Sequence, residues 1–427
     1  MFKDENGKFY YGWIIVLVAG LVTGFVYNGI ASVTGIFMLP VTTDLGISVG
    51  GFSLYFTIMS FVSMFVLMFF SKYFTEKSIK KMMAIGGVLT IISFVGFSFA
   101  SSLWMFYAFA VLQGVGFATM TMTPCQVLVS NWFGEKLRGR AITVFLAILA
   151  LMYTALANVL NTVIIKVGWR MGYIILAILT LVSLIIVLKF VVWSPDKKGI
   201  KRLGDLNDEE LKNVNLAASG INFKSAIKKP ITWLAFISCG LAVIGSSSVL
   251  VHGIPTMQLA GMESTTAIGI LSALTILMTF IGPVIGWISD KFGVPVVTIG
   301  TAVSFTVGIF GLALATTNLM LGVIVFFVGY LFGIACVNIV SPLLMGYMFG
   351  EKDLPKFLGY INIFISLGAA CGSGITGSLY EVFGSYRIPW LIVTGILVIV
   401  MIIRIICSNK KHKFVPKTAE NKILHLE

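Results

Sequence analysis

The residues of this chain that could do chemistry are few, and nearly all of them are neutral. Seven lie within long apolar stretches: Tyr27, Asn28, Gln113, Tyr153, Asn158, Asn338 and Asn362. A hydroxyl or amide in hydrocarbon needs a partner or water, so each is expected to face a protein interior. Two uses fit. Such groups can bind a small polar solute, or they can tie one helix to another at roughly 0.6 kcal/mol apiece. His252, just before Gly253 and Pro255, is the one histidine in an apolar stretch. It could carry or sense a proton, although a histidine at a helix end is more commonly solvated. His412 and His425 lie far away in the C-terminal tail. Paired intramembrane carboxylates, metal-ligand spacing and a Walker pattern are all missing, which argues against an enzyme, a metal, a cofactor or direct use of ATP.

The elements that must position these groups are membrane spans. Of the 427 residues, 58% are hydrophobic and 11% charged, against about 25% charged in a soluble domain. A span needs roughly 20 apolar residues. Twelve stretches qualify: 11–37, 51–70, 82–100, 104–129, 140–164, 171–193, 231–254, 265–288, 294–315, 319–347, 357–380 and 387–407. The fold class is therefore an all-α membrane protein. Charge is sorted between the connections. All Lys and Arg except Lys166, Arg170, Lys189, Arg387 and Arg404 fall in the two tails or in alternate loops. By the positive-inside rule those segments are cytoplasmic, both termini included, in a multi-pass inner-membrane protein. The net charge of +13 is then explained by anionic lipid, with no nucleic-acid partner. The five cysteines, Cys125, Cys239, Cys336, Cys371 and Cys407, show no pairing framework and read as small apolar packing residues.

The two halves repeat each other at an offset of about 215–219 residues,. Phe133-Gly134-Glu135-Lys136 recurs as Phe349-Gly350-Glu351-Lys352, and Thr123-Pro124 recurs as Ser341-Pro342. Pro40 and Gly46 match Pro255 and Gly261; Gly168 and Arg170 match Gly384 and Arg387. This implies two six-helix bundles duplicated in parallel orientation, residues 1–193 and 231–407, joined by a cytoplasmic linker at 194–230 and followed by a tail at 408–427. Asn207-Asp208-Glu209-Glu210 carries a capping-box pattern for a short linker helix,.

The strongest local motif is Gly286-Trp287-Ile288-Ser289-Asp290-Lys291-Phe292-Gly293, between spans 8 and 9. It resembles the Gly-x-x-x-Asp-Lys/Arg-x-Gly signature of the major facilitator superfamily, and the resemblance covers nearly the whole chain. It implies the twelve-helix fold, with spans 1, 4, 7 and 10 facing a central cavity and spans 2, 5, 8 and 11 beside them. The motif glycine could let helices approach, and Asp290 could latch one conformation or merely cap a loop. The first-half equivalent, Ser71 to Lys77, lacks the Asp and the glycine. In Gln113-Gly114-Val115-Gly116 the glycines read as packing positions, and Ala110 stands where relatives often carry an Arg. Tyr10-Tyr11-Gly12-Trp13, Pro40 and Asp44-Leu45-Gly46-Ile47-Ser48 resemble the oxalate/formate antiporter and monocarboxylate-porter branch. That branch usually places an Arg in span 8 against its carboxylate substrate; here the position is Pro283, and span 11 holds no basic residue between Phe357 and Ser378. Pro283 should instead kink span 8 and free a carbonyl toward a cavity.

The reading is a secondary transporter, monomeric, that moves a small organic solute by alternating access. The branch resemblance implies a carboxylate-containing metabolite. Proton symport normally uses an intramembrane Asp, Glu or His, so exchange or uniport is expected instead. A polytopic enzyme or a solute sensor would need a titratable cluster or a soluble output domain, and the chain offers neither.

Overall fold

The computed structural model describes Gly7, residues 9–205, 220–350 and 352–409. The capping-box sequence at 207–210 lies outside the described residues. Twelve helices are long and apolar enough to cross a membrane: α1 (Tyr11–Ser32), α2 (Val49–Tyr73), α3 (Ile79–Ser98), α4 (Leu103–Trp132), α5 (Lys136–Val167), α6 (Trp169–Phe190), α7 (Pro230–Leu259), α8 (Ser264–Phe292), α9 (Val294–Ala315), α10 (Leu319–Asn338), α11 (Lys356–Phe383) and α12 (Arg387–Ser408). Each lies on one of the expected stretches. In hydrocarbon a helix is the structure that satisfies every backbone group within one segment. Caps and turns set the ends. The Ser48 hydroxyl accepts from the Gly51 N–H at 3.1 Å, and Gly293, at φ 86, turns the chain between α8 and α9, a conformation that favours glycine.

Three helices are interrupted, which the apolar runs did not reveal. In α1 residues Asn28–Ser32 form a π-turn, closed by the Val33 N–H donating to the Asn28 carbonyl at 3.0 Å. α4 breaks at Thr121, ψ −131, before a second helical piece from Met122 to Trp132. α10 gives way at Asn338–Ile339 to a separate helix, Val340–Phe349. Pro124 and Pro342 sit three residues into the pieces that follow, where a missing N–H is tolerated because first-turn donors have no intrahelical acceptor. The repeated Thr-Pro and Ser-Pro pairs thus mark the same break in each half. Hydroxyls take up released carbonyls: Thr121 Oγ1 donates to Phe117 at 2.6 Å, and Ser341 Oγ to Cys336 at 2.9 Å.

The chain resolves into two compact units. The first holds residues 1–206 together with 250–279 and 377–382. It therefore includes the ends of α7, α8 and α11 that lie farthest from the linker. Three joins bind them to first-half helices within that unit. Ser264 Oγ donates to Asn161 Oδ1 at 2.7 Å. Glu381 Oε1 accepts from the Gly51 N–H at 3.1 Å, at the start of α2, where a carboxylate is favoured by the helix dipole. Gly35 approaches the Val251 carbonyl so closely that a Cβ there would lie 2.9 Å from it. Nearby, Asp44 Oδ2 accepts from Arg170 Nη1 at 2.6 Å and from Trp169 Nε1 at 3.0 Å, and the Arg170 guanidinium lies over the Trp169 ring, 4.2 Å from its centroid. The second unit holds 207–249, 280–376 and 383–427. Within it α7 and α11 meet through small residues: a Cβ at Gly368 would lie 2.0 Å from the Gly240 carbonyl, and Ser248 Oγ donates to the Gly372 carbonyl at 3.0 Å.

The linker is clasped at each described end by the duplicated Phe-Gly-Glu-Lys loops. Leu203 bridges to Phe133 in parallel and Gly220 to Gly350 in antiparallel fashion. The Gly134 N–H donates to the Leu203 carbonyl at 2.8 Å, and the Ile221 N–H to the Phe349 carbonyl at 2.9 Å. On the first-half side Arg202 Nη2 donates to the carbonyls of Ser130 and Phe133 at 2.6 and 2.9 Å, and Lys197 pairs with Glu76 at 2.5 Å.

The sequence leaves His252 as either a proton carrier or a solvated helix-end histidine; it is 0% exposed, and α7 continues past Pro255 to Leu259, so the solvated placement does not hold. Arg404, one turn before the end of α12, is also 0% exposed.

Arg202→Ala removes the charged donor from two carbonyls and is expected to cost about 1.5–3 kcal/mol, read as a lower Tm in detergent. Lysine at 202 should restore only part, since it lacks the planar fork; an unchanged Tm in Arg202→Ala would mean that the clasp contributes nothing. A second expectation concerns pH. Hydrogen bonds from Arg170 and then Trp169 hold the Asp44 carboxyl below its usual range. A depressed carboxyl stabilises above its unfolded pKa and loses that contribution as pH falls through the folded value. The Tm gap between wild type and Asp44→Asn should therefore stay constant from pH 7 to about pH 5 and close below about pH 4. A gap that closes near neutrality would contradict this assignment. Both groups are about half exposed, so the gap should be small.

Candidate functional site

The π-turn in α1 begins at Asn28, directly after Tyr27, and the helices that carry Gln113 and Tyr153, α4 and α5, pack against α1. Such a turn rotates the side chains that follow it and often accompanies a functional position. The Tyr27 ring packs against Phe117 of α4 with centroids 5.4 Å apart. Gln113, one turn earlier on α4, is 1% exposed, and its Oε1 has no hydrogen-bond partner among the described residues. Asn28 turns the other way, toward α5. Its Nδ2 donates to the Leu149 carbonyl at 3.0 Å, and its Oδ1 accepts from Ser32 Oγ at 2.9 Å. Both ends of that amide are occupied, so Asn28 here ties α1 to α5 and braces the π-turn. Tyr153 is buried on α5, one residue beyond Met152, whose side chain meets Gly24 of α1.

Not all candidates gather there. Asn158 is exposed and donates to the Thr154 carbonyl of its own helix at 2.8 Å. Asn161, three residues on and not singled out by sequence, is buried and accepts the hydroxyl of Ser264. In the second unit Asn338 is exposed at the break in α10. Asn362 is exposed on α11, its carbonyl accepting from Ser366 Oγ at 2.8 Å. The unused capacity thus lies with Gln113, a buried amide oxygen, and with exposed amides at Asn338 and Asn362. An orphaned buried acceptor costs about 1–3 kcal/mol unless water or a ligand meets it, so among these candidates Gln113 is the one whose buried oxygen calls for a donor from water or a solute.

The motif Gly286 to Gly293 occupies the end of α8 and the turn after it. Asp290 is exposed and has no ion-pair partner among the described residues. The Lys291 ammonium lies over the Trp287 and Phe292 rings, 5.1 and 5.4 Å from their centroids. Gly286 has nothing within 4 Å of a built Cβ, so close helix approach does not explain it here. Pro283 is exposed within α8. Gly114 and Gly116, in contrast, are packing positions. A Cβ on Gly114 would lie 2.6 Å from the Met59 carbonyl, and one on Gly116 would lie 1.8 Å from Thr90 Oγ1.

Sequence reasoning missed Asn161, Ser264 and Glu381. Glu381 had a signal, an acidic residue at a span end one turn past the glycines of α11. Asn161 had only its membrane depth.

A groove of about 500 Å³ runs past Leu39, Pro40, Asp44, Asn161, Gln258 and Ser264 in the first unit. Its surface is mostly apolar, from Ile36, Leu39, Pro40, Ile164 and Ile165, with the polar groups of Asp44, Asn161, Gln258 and Ser264 beside the joins at this end of the unit.

Comparison with known proteins agrees with this geometry. The chain is 25% identical over 351 residues to the phosphoglycerate transporter protein of Salmonella typhimurium, covering 75% of this chain and 73% of that one. Its fold is similar to the crystal structure of the nucleoside transporter NupG, with TM-score 0.69 and 14% identity over 93% of this chain and 99% of that chain. It is similar as well to a bacterial homologue of the human lysosomal transporter Spinster in an inward-facing, unoccupied conformation, with TM-score 0.68 and 15% identity over 94% and 98%. Residues 16–348 match the Major Facilitator Superfamily model, and with its twelve apolar helices this chain belongs to that superfamily as a multi-pass transporter of a small solute.

Proposed function

We propose that this transporter carries a carboxylate-containing metabolite by alternating access, through exchange or uniport. The observation that carries the reading is the neutral character of the candidate groups on α1, α4 and α5: the hydroxyls of Tyr27 and Tyr153 and the Nε2 amide of Gln113 can donate hydrogen bonds to an anion without a buried cation. The relative named for phosphoglycerate, an organic anion, supports the substrate class. Neutral donors bind an anion more weakly than a guanidinium fork does, and weak binding permits release on the far side.

The joins Asn161–Ser264 and Gly51–Glu381 act as the gate that parts when access alternates. Asp290 would latch the opposite state, and its exposed carboxylate is available for a partner in that state. The rocking bodies would be residues 1–193 and 231–407 of a monomer in the inner membrane, with both tails on the basic, cytoplasmic side.

Transport in proteoliposomes tests this reading. Preloaded carboxylate should accelerate uptake of labelled carboxylate by exchange, and an imposed pH gradient should not concentrate it. Gradient-driven accumulation that persists in His252→Gln would count against an uncoupled mechanism. Asp290→Asn should lower the maximal rate severalfold with little change in half-saturating concentration, as expected for a conformational latch. Normal flux with normal expression would remove Asp290 from the cycle.

A further inference from the structure

The interior of the second unit contains one guanidinium. Arg404 on α12 is 0% exposed. Its Nη2 donates to Ser341 Oγ at 2.8 Å, while Nε and Nη1 have no partner among the described residues. An arginine cannot shed its charge to lower the cost of burial, and a buried charge without a counterpart is strongly destabilising. Among the described residues no carboxylate pairs with it.

The fold does not require a cation there. Burial runs in register along the two equivalent helices at an offset of about 217 residues. Tyr173, Leu176, Thr180, Ser183 and Val187 are buried on α6, and Trp390, Val393, Leu397, Val400 and Arg404 are buried on α12. Val187, also 0% exposed, fills in the first half the place that Arg404 takes in the second. Arg404 points at the break in α10. Ser341 is the second residue of the helix Val340–Phe349, a ten-residue helix whose first turn offers the N–H groups of Val340 and Ser341, since Pro342 has none and the Leu343 N–H donates to the Ile339 carbonyl at 3.3 Å, together with the positive end of its dipole. A helix start facing an incompletely paired arginine is an anion-binding arrangement.

We propose that Arg404 and the first turn of Val340–Phe349 hold a halide ion, chloride in the cell, with Ser341 Oγ, whose hydrogen goes to the Cys336 carbonyl, orienting the guanidinium. Enclosure sets the size: Arg404, Ser341, Val340 and Cys336 are all 0% exposed, which suits a monatomic anion better than an oxyanion or a lipid headgroup. The ion neutralises the guanidinium and fixes the broken end of α10. The site lies wholly in the second unit and does not depend on which solute is carried.

The test is thermal unfolding of the full chain in detergent at constant ionic strength, with gluconate exchanged for chloride or bromide. Halide should raise the wild-type Tm by about 3 °C or more, and the rise should vanish in Arg404→Met and shrink in Ser341→Ala. No halide effect in wild type, an equal rise in Arg404→Met, or stabilisation by phosphate without halide would overturn the proposal. Should Arg404→Met fail to fold, the chloride-35 NMR line width decides the matter: broadening by wild type that exceeds broadening by Ser341→Ala supports the site, and equal broadening refutes it.

Discussion

Hydrocarbon offers no water to an exposed N–H or carbonyl, and the rest of this structure follows from that constraint. Helices satisfy the backbone by themselves, and the described residues form twelve long enough to span. Wherever a helix is broken, something must meet the groups set free. The interruptions in α1, α4 and α10 are therefore the costly places, and each has polar side chains attending it. Asn28 and Ser32 brace the π-turn, Thr121 takes the Phe117 carbonyl, and Ser341 takes that of Cys336. Irregular backbone at membrane depth survives where it lines a cavity or is enclosed by protein. Gln113 on α4 and Asn338 on α10 lie within about three turns of those breaks, where a solute could replace water.

The same constraint sorts charge. Ion pairs occur at the helix ends, where Asp44 meets Arg170 and Glu76 meets Lys197. Carboxylates there can join or release elements without being carried through lipid. Glu381 on the N–H of Gly51 and Ser264 on Asn161 are contacts of modest strength, about 1–3 kcal/mol each. A gate built from a few such bonds can part at thermal rates, which a transporter needs and a rigid core would prevent. Arg404, one turn before the end of α12, stands out because it is the one buried Lys, Arg, Asp or Glu among the described residues and is incompletely paired.

Much of the architecture was legible in the residues. Span positions follow from apolar length, and the duplication follows from recurring pairs such as Thr123-Pro124 and Ser341-Pro342. What those pairs do, breaking α4 and α10, was not legible, because a proline near an apolar run can kink, cap or end it. Side-chain direction was the other gap. Asn158 and Asn161 differ by three positions on a helix whose apolar residues surround it on all sides, so no periodic stripe separates the inner face from the outer one. His252 was misplaced for a related reason: Gly253 and Pro255 suggest a helix end, yet packing carries α7 through them to Leu259. Gly286 belongs to a recognisable motif, and the open space around it shows that motif membership does not reveal the contact a residue makes. Gln113 and Asn28 look alike in sequence. Only coordinates show that one amide has both ends occupied and the other does not.

Gln113 is thus the most direct place to test the account. The measurement is equilibrium binding of a stabilising carboxylate metabolite to purified wild type and to Gln113→Leu, with Tm recorded for both. About a tenfold loss of affinity is expected, the worth of one hydrogen bond from the Gln113 Nε2 amide to a carboxylate, with the fold retained because the orphaned Oε1 acceptor is removed as well. Equal affinity in a folded Gln113→Leu protein would contradict it, and the solute would then have to be held elsewhere.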